Sequence, residues 1–158
     1  IYRVLMTPKN CPKKKRNEMF QIISDRALAI GTGMADNNTI DKINILNATR
    51  QAMRQAVEEA EKQMGEAIGH VLVDAVTIDG IGNEQTAIIK GDAKSISIAA
   101  ASIIAKVTRD NMMKEYALEY PYYAFESNKG YGTKAHYQGI NEHGITPIHR
   151  KTFLKGIL

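Results

Sequence analysis

The sequence predicts an α/β fold, strands alternating with helices, on three observations. Two short apolar runs read as strands, His70 to Ala75 ending on a carboxylate and Ala87 to Ile89 as a buried one. Around them lie long stretches whose apolar residues recur at helical spacing. The stretch KGDAKSISIAAASIIAKVTRD, Lys90 to Asp110, leads from the second strand into a helix that is apolar or small almost all round. Such a helix belongs in the middle of a fold.

Taken in order, Ile1 to Met6 reads as a strand and Thr7 to Pro12 as a loop. The basic run Lys9, Lys13, Lys14, Lys15 and Arg16 opens a helix whose apolar face is Met19, Phe20, Ile22, Ile23 and Leu28. Cations at a helix start oppose its macrodipole, so the run is either a solvated turn or a phosphate contact. Gly31 to Asp36 reads as a short strand, its two glycines falling short of a dinucleotide fingerprint. Asn37, Asn38 and Thr39 offer N-caps to a long amphipathic helix marked by Ile40, Ile43, Leu46, Met53, Ala56 and Val57. That helix ends near Met64 and Gly65, with a break expected at Asn44. After the first apolar strand, Thr77 to Gln85 is a loop. The central helix starts past Gly91 with Ser95 and Ser97 in its first turn and stops before Pro121. An aromatic loop holding Asn128-Lys129-Gly130-Tyr131-Gly132-Thr133 follows. Thr133 caps a last helix reaching His143 and Gly144, and Pro147 to Phe153 forms a basic tail.

The 158 residues, 44% hydrophobic and 24% charged, fit one ordinary domain with a sizeable core. A net charge of +4 tilts the expectation toward a polyanionic partner. The single cysteine, Cys11, excludes an internal disulfide and suits a reducing compartment. No apolar run is long enough for a membrane span and no signal-peptide pattern opens the chain, so the expected location is cytoplasmic.

Chemistry concentrates at two carboxylates. Asp74 closes one strand and Asp92 follows the other, and strand carboxyl ends form the usual ligand crevice of α/β sheets. Paired there, they suit Mg²⁺ or Mn²⁺ held against a phosphate. Asp92 serves equally well as a helix cap, and Asp74 as a loop cap. Asp110, with Lys106 and Lys114 at helical spacing, reads as a surface ion pair. Gly91, Lys94 and Ser95 lack the Walker spacing, the four histidines lack zinc spacing, and no serine sits in a nucleophile elbow.

Five ordered blocks, INILNATRQAM, HVLVDA, IIKGDAKSISIAAASIIAKVTRD, NKGYGT and PIHRKTF, resemble the type 2 ribonucleases H, the ribonuclease HII family. The resemblance runs from about residue 9 to the end. It implies an RNase H-like fold, a mixed sheet flanked by helices, over residues 1–158 as a single domain. Residues 1–120 would form the core and 121–158 a C-terminal, substrate-contacting helical segment. It implies Mg²⁺- or Mn²⁺-dependent cleavage of RNA in RNA–DNA hybrids, and at single ribonucleotides embedded in DNA, leaving 5′-phosphate and 3′-hydroxyl ends. By the same resemblance Asp74 and Asp92 become metal-site carboxylates, and Tyr131 the residue that meets the sugar at the RNA–DNA junction. Lys94, Lys129 and Arg150, beside these motifs, are assigned with Tyr131 to substrate contact. The complete enzyme is expected to be a monomer.

The family's opening strand carries an Asp-Glu pair and a Gly-Arg-Gly motif, and its Asp-Ser-Lys-Lys-Leu segment falls where this chain has TPKNC. Residues 1–16 contain no acid at all. The expectation is therefore a member lacking its first strands. Such a chain is either part of an active nuclease or an incomplete one that only binds hybrid or duplex. A plain helical interaction domain, with neither cleavage nor salt-dependent nucleic-acid binding, is the remaining alternative.

Overall fold

The computed structural model describes residues 11–156. The strand expected over Ile1 to Met6, most of the following loop and Lys9 lie outside the described residues. Two compact units are present, Ile1–Ala105 with Arg150–Leu158, and Lys106–His149. The architecture is mixed α/β, with a small parallel sheet and mostly helices.

In the first unit, α1 spans Lys13–Arg26 after an N-cap at Pro12 that supplies no side-chain hydrogen bond. Met19, Phe20 and Ile23 are half-buried, whereas Ile22 is exposed and Leu28 lies exposed past the helix end, so only three of the five expected face residues turn inward. The expected strand at Gly31 to Asp36 is absent, although the segment is non-helical. It lies instead against α2, Asn37–Met64, so closely that a Cβ at Gly31 or Gly33 would stand 1.8 Å from the carbonyl oxygen of Ala56 or Ala52. Glutamine side chains take the place of a neighbouring strand. Gln63 accepts from Ile30 N–H at 3.1 Å and donates to its carbonyl at 2.9 Å, and Gln55 accepts from Met34 N–H at 3.0 Å.

Asp36, one residue before the expected caps, begins α2 by accepting from Thr39 N–H at 2.7 Å. That bond holds the Asp36 carboxyl below its ordinary range. The break at Asn44 is present: its backbone leaves the helix at φ 65°, ψ 166°. Its side chain then caps the remainder, accepting from Asn47 N–H at 3.1 Å. Gly65 ends the helix in the left-handed conformation, as expected.

Strands β1, His70–Asp74, and β2, Glu84–Ile88, pair in parallel with Asp74 opposite Ile88. The second strand thus starts three residues earlier than its apolar run and leaves out Ile89, which is exposed. Val73 buries against Val57 of α2 and against Ile78 of the short link between the strands. Gln85 holds that link by accepting from Ile78 N–H at 2.8 Å and donating to its carbonyl at 2.9 Å. The basic tail is tied to this unit by Asp41. Its carboxylate accepts from Lys151 N–H at 2.7 Å, from Thr152 N–H at 3.1 Å and from the Thr152 hydroxyl. These bonds, led by that of the hydroxyl, lower the Asp41 carboxyl pKa.

A single turn, α3 (Gly91–Lys94), precedes the long α4 (Ile96–Glu119), which runs from the first unit into the second. Ser95 is extended between them rather than helical, and its hydroxyl accepts from Ile98 N–H at 3.4 Å. Ser95 is therefore the start signal of α4, not part of its first turn. Ile98, Ala99, Ile103, Ile104, Val107 and Met113 are buried, but Ile96, Ala101 and Ala105 are exposed. Among the described residues this helix has one buried face, not the all-round burial that its composition predicts.

In the second unit, a 3₁₀ turn at Pro121–Tyr123, the single turn α5 (Phe125–Asn128) and α6 (Lys134–His143) surround Tyr123, Phe125 and Ile140. Thr133 caps α6 by accepting from His136 N–H at 3.3 Å, and Gly144 follows it, both at the expected positions. No helix of the described residues is long and apolar enough to cross a membrane.

Candidate functional site

The first candidate site forms where the two parallel strands end. Asp74 is the last residue of β1, and its Oδ1 accepts the Gly91 N–H at 2.7 Å, just after β2. Asp92 follows Gly91 directly, one residue past the amide that Asp74 holds. The approach demands glycine: a Cβ at Gly91 would meet Ile98 Cδ1 at 2.6 Å and Asp74 Oδ1 at 3.3 Å. Two non-glycine residues here adopt the left-handed conformation, Ala75 at φ 63° and Lys90 at φ 56°. Each costs roughly 1–2 kcal/mol, so packing must hold the turns against their own preference. Val76 N–H donates to the Asp74 carbonyl at 2.9 Å and Ala75 N–H continues the ladder to Ile88 at 3.1 Å.

Asp92 sits in the first turn of α3, but the N-cap position is Lys90 and no side-chain cap bond forms there. An acid in that first turn suits the positive end of the helix, as the sequence allows. Lys94 ends α3 and is exposed. Asp110 is paired as expected with Lys106, at 2.7 Å, whereas Lys114 turns to Asn111.

Hard carboxylate oxygens are the donors that magnesium or manganese takes, commonly one or two carboxylates together with water and substrate phosphate. Asp74 and Asp92 fit that part of the set. Among the described residues no group of three or more His, Cys, Asp or Glu side chains gathers around one point.

The second candidate site is the loop before α6. Tyr131 is 67% exposed, with the Arg109 guanidinium 6.0 Å from its ring centre. Beneath it the main chain is heavily held. Buried Asn128 donates to the Tyr123 carbonyl at 2.7 Å and accepts from Gly130 N–H at 2.8 Å. Lys129 is left-handed at φ 54°, and its carbonyl accepts from Arg109 at 2.8 Å. The Tyr131 carbonyl lies 3.0 Å from His136 Nδ1, and His136 Nε2 lies 3.0 Å from His149 Nε2. Both imidazoles are buried, packed against Tyr123 and Phe125. Sequence reasoning tested these histidines only against zinc spacing and passed over the pair. Arg150, assigned to substrate, lies in the first unit with its guanidinium 3.9 Å from the Phe153 ring centre and its charge near Asp41.

A family model described as ribonuclease HII matches residues 8–155. The ribonuclease HII of Clostridioides difficile (strain 630) is 55% identical over 150 residues, which cover 95% of this chain and 57% of that protein. The chain belongs to the ribonuclease HII family. It spans somewhat over half the length of this curated relative.

Proposed function

We propose that this chain carries part of the active centre of an RNase H-like nuclease, with Asp74 and Asp92 as divalent-metal ligands. Its substrates would be RNA–DNA hybrids and DNA duplexes containing ribonucleotides, cut by phosphodiester hydrolysis. The observation that supports the reading is the Asp74–Gly91 bond, which ties the end of β1 to the residue directly before Asp92. A bound Mg²⁺ or Mn²⁺ would activate water and stabilise the leaving oxygen. Gly91 N–H fixes the Asp74 carboxylate through Oδ1 and leaves Oδ2 for the cation. Asp92 would share that duty. Lys94, exposed at the end of α3, adds positive charge for the phosphate backbone.

In the second unit Tyr131 offers an exposed ring to the sugar at an RNA–DNA junction, and Lys129 beside it meets phosphate. Arg150 contributes charge rather than a directed contact, since its guanidinium is already engaged with Phe153. Two carboxylates leave a metal site for phosphoryl chemistry short of protein ligands. The 158 residues alone should then bind such duplexes better than they cut them. The test is cleavage of a duplex with one embedded ribonucleotide, with Mg²⁺ or Mn²⁺, by this chain and by a longer form carrying an Asp-Glu and Gly-Arg-Gly segment ahead of it. Metal-dependent cutting by the longer form, lost in Asp92→Asn, supports the reading. Unchanged cutting in Asp92→Asn refutes it.

A further inference from the structure

The bonding around the buried imidazole pair is fixed from both ends. At one end, Thr146 N–H lies 2.9 Å and the Thr146 hydroxyl 2.8 Å from His149 Nδ1; the hydroxyl can donate as well as accept, but a backbone N–H can only donate. His149 Nδ1 is therefore an acceptor, and the ring hydrogen of the neutral form sits on Nε2. At the other end, the Tyr131 carbonyl can only accept, so His136 Nδ1 carries hydrogen and its Nε2 accepts. The two assignments were made independently and they agree in the middle. His149 Nε2–H donates to His136 Nε2 across 3.0 Å. A directed chain thus runs from Thr146 N–H through both rings to the Tyr131 carbonyl, and it needs both rings neutral. A proton added to His149 faces the Thr146 N–H with another hydrogen. A proton added to His136 sets hydrogens against each other between the rings, or forces His149 into the tautomer that opposes Thr146.

We propose that the His136–His149 pair is a positioning device for Tyr131, holding its loop for ribonucleotide recognition while neutral and loosening it when protonated. The functional half of this rests on the reading of Tyr131 given above. The rings are 7% and 6% exposed, so an added charge there is costly. Burial first, and then the neighbouring His136, keep His149 below the ordinary imidazole range. The titratable groups packed against the rings are Tyr123 from the 3₁₀ turn and Tyr137 from α6, and Arg109 of α4 lies over Tyr131. Burial raises the Tyr123 hydroxyl pKa, away from the range in which imidazoles titrate.

Nitrogen-15 spectra of the full chain at neutral pH should show hydrogen on Nδ1 of His136 and on Nε2 of His149. The Tyr131 amide resonance should shift together with the imidazoles as pH falls. The opposite tautomers, or a Tyr131 amide that ignores the imidazole titration, would overturn the positioning role. Affinity is then compared for a DNA duplex with one ribonucleotide and the same duplex in all-DNA form. His149→Phe keeps an aromatic filling among Tyr123 and Phe125 and should reduce the ribonucleotide preference about 3–10-fold, the size of one lost hydrogen bond. It should also abolish the decline of that preference at low pH. A preference and pH profile unchanged in folded His149→Phe would refute the proposal. Tyr131→Ala without effect on the preference would instead sink the reading of Tyr131, leaving the spectra to decide whether the imidazole chain exists.

Discussion

The two candidate sites are held in opposite ways. At the strand ends, the main chain does the holding: one short bond from Gly91 N–H, and two left-handed residues, Ala75 and Lys90, that no side chain caps. The reactive groups there are short carboxylates with little support of their own. In the loop before α6, side chains do the holding: Asn128, Arg109, His136 and His149 all end on backbone atoms around Tyr131 or on each other. The group they present is an exposed ring. A carboxylate that binds a cation must sit where the backbone puts it, because it has few torsions with which to adjust. An aromatic ring that stacks or leans on a sugar tolerates small errors, provided that its loop does not drift. The strand-end site should therefore fail abruptly when altered, and the loop site gradually.

The largest effect expected is at Asp92. Asp92→Asn in a cleaving form of the protein should cost on the order of 10²-fold or more in turnover, with the melting temperature little changed. Comparable loss from Tyr131→Ala would erase the contrast between the sites. Gly91→Ala comes next. Its Cβ would press on Ile98 and on Asp74 Oδ1, and overpacking of this kind costs about 1–3 kcal/mol. Urea unfolding reads that cost, and cleavage should fall further than stability alone explains.

In the loop, Asn128→Ala removes two bonds from a buried residue and should destabilise the second unit by about 1–3 kcal/mol. Ribonucleotide preference should weaken without vanishing, and its complete loss would mean that the loop is as brittle as the strand ends. Thr133→Ala should be milder, about 1 kcal/mol for a lost cap, seen as a lower melting temperature.

The smallest effect is a pH dependence of stability. His149 has a lowered pKa in the folded state, so the unfolded chain binds the proton more readily. Its contribution is fully present above about 6.5, the ordinary imidazole value, and is lost as pH falls through the window below. Asp41, with a lowered carboxyl pKa, adds stability above the ordinary carboxylate range and loses it in stronger acid. Thermal melts from neutral pH downward should show two separate declines, and only the first should disappear in His149→Phe.

Much of the fold was legible because its boundaries carry residue-type signals. Thr133 and Gly144 bracket α6, Gly65 ends α2, and Asn44 marks its interruption. Asp74 does end β1, as its place at the close of an apolar run suggests. The misreadings have a common physical cause: a role decided by a partner distant in sequence. Gly31 to Asp36 looks like a strand because it is extended and glycine-containing, yet Met34 within it and Ile30 just before it bond to Gln55 and Gln63 on a helix. Those two amides, eight positions apart along α2, were the available hint. The imidazole pair was invisible for the same reason, since nothing in the spacing of His136 and His149 says that their nitrogens meet. Ser95 was misplaced by a single residue, because a serine serves a helix start from just outside as well as from within.

The Asp41 clasp has a consequence for how the chain opens. One carboxylate near the start of α2 supplies acceptors for consecutive amides of a tail more than a hundred residues later. The Lys151 and Thr152 amides should therefore not exchange with solvent at their own pace, as those of a terminal segment usually do. Their protection should rise and fall with that of the first turns of α2, the two segments breathing as one cooperative element. Asp41→Asn would uncouple them, letting the tail exchange freely while α2 keeps its slow amides.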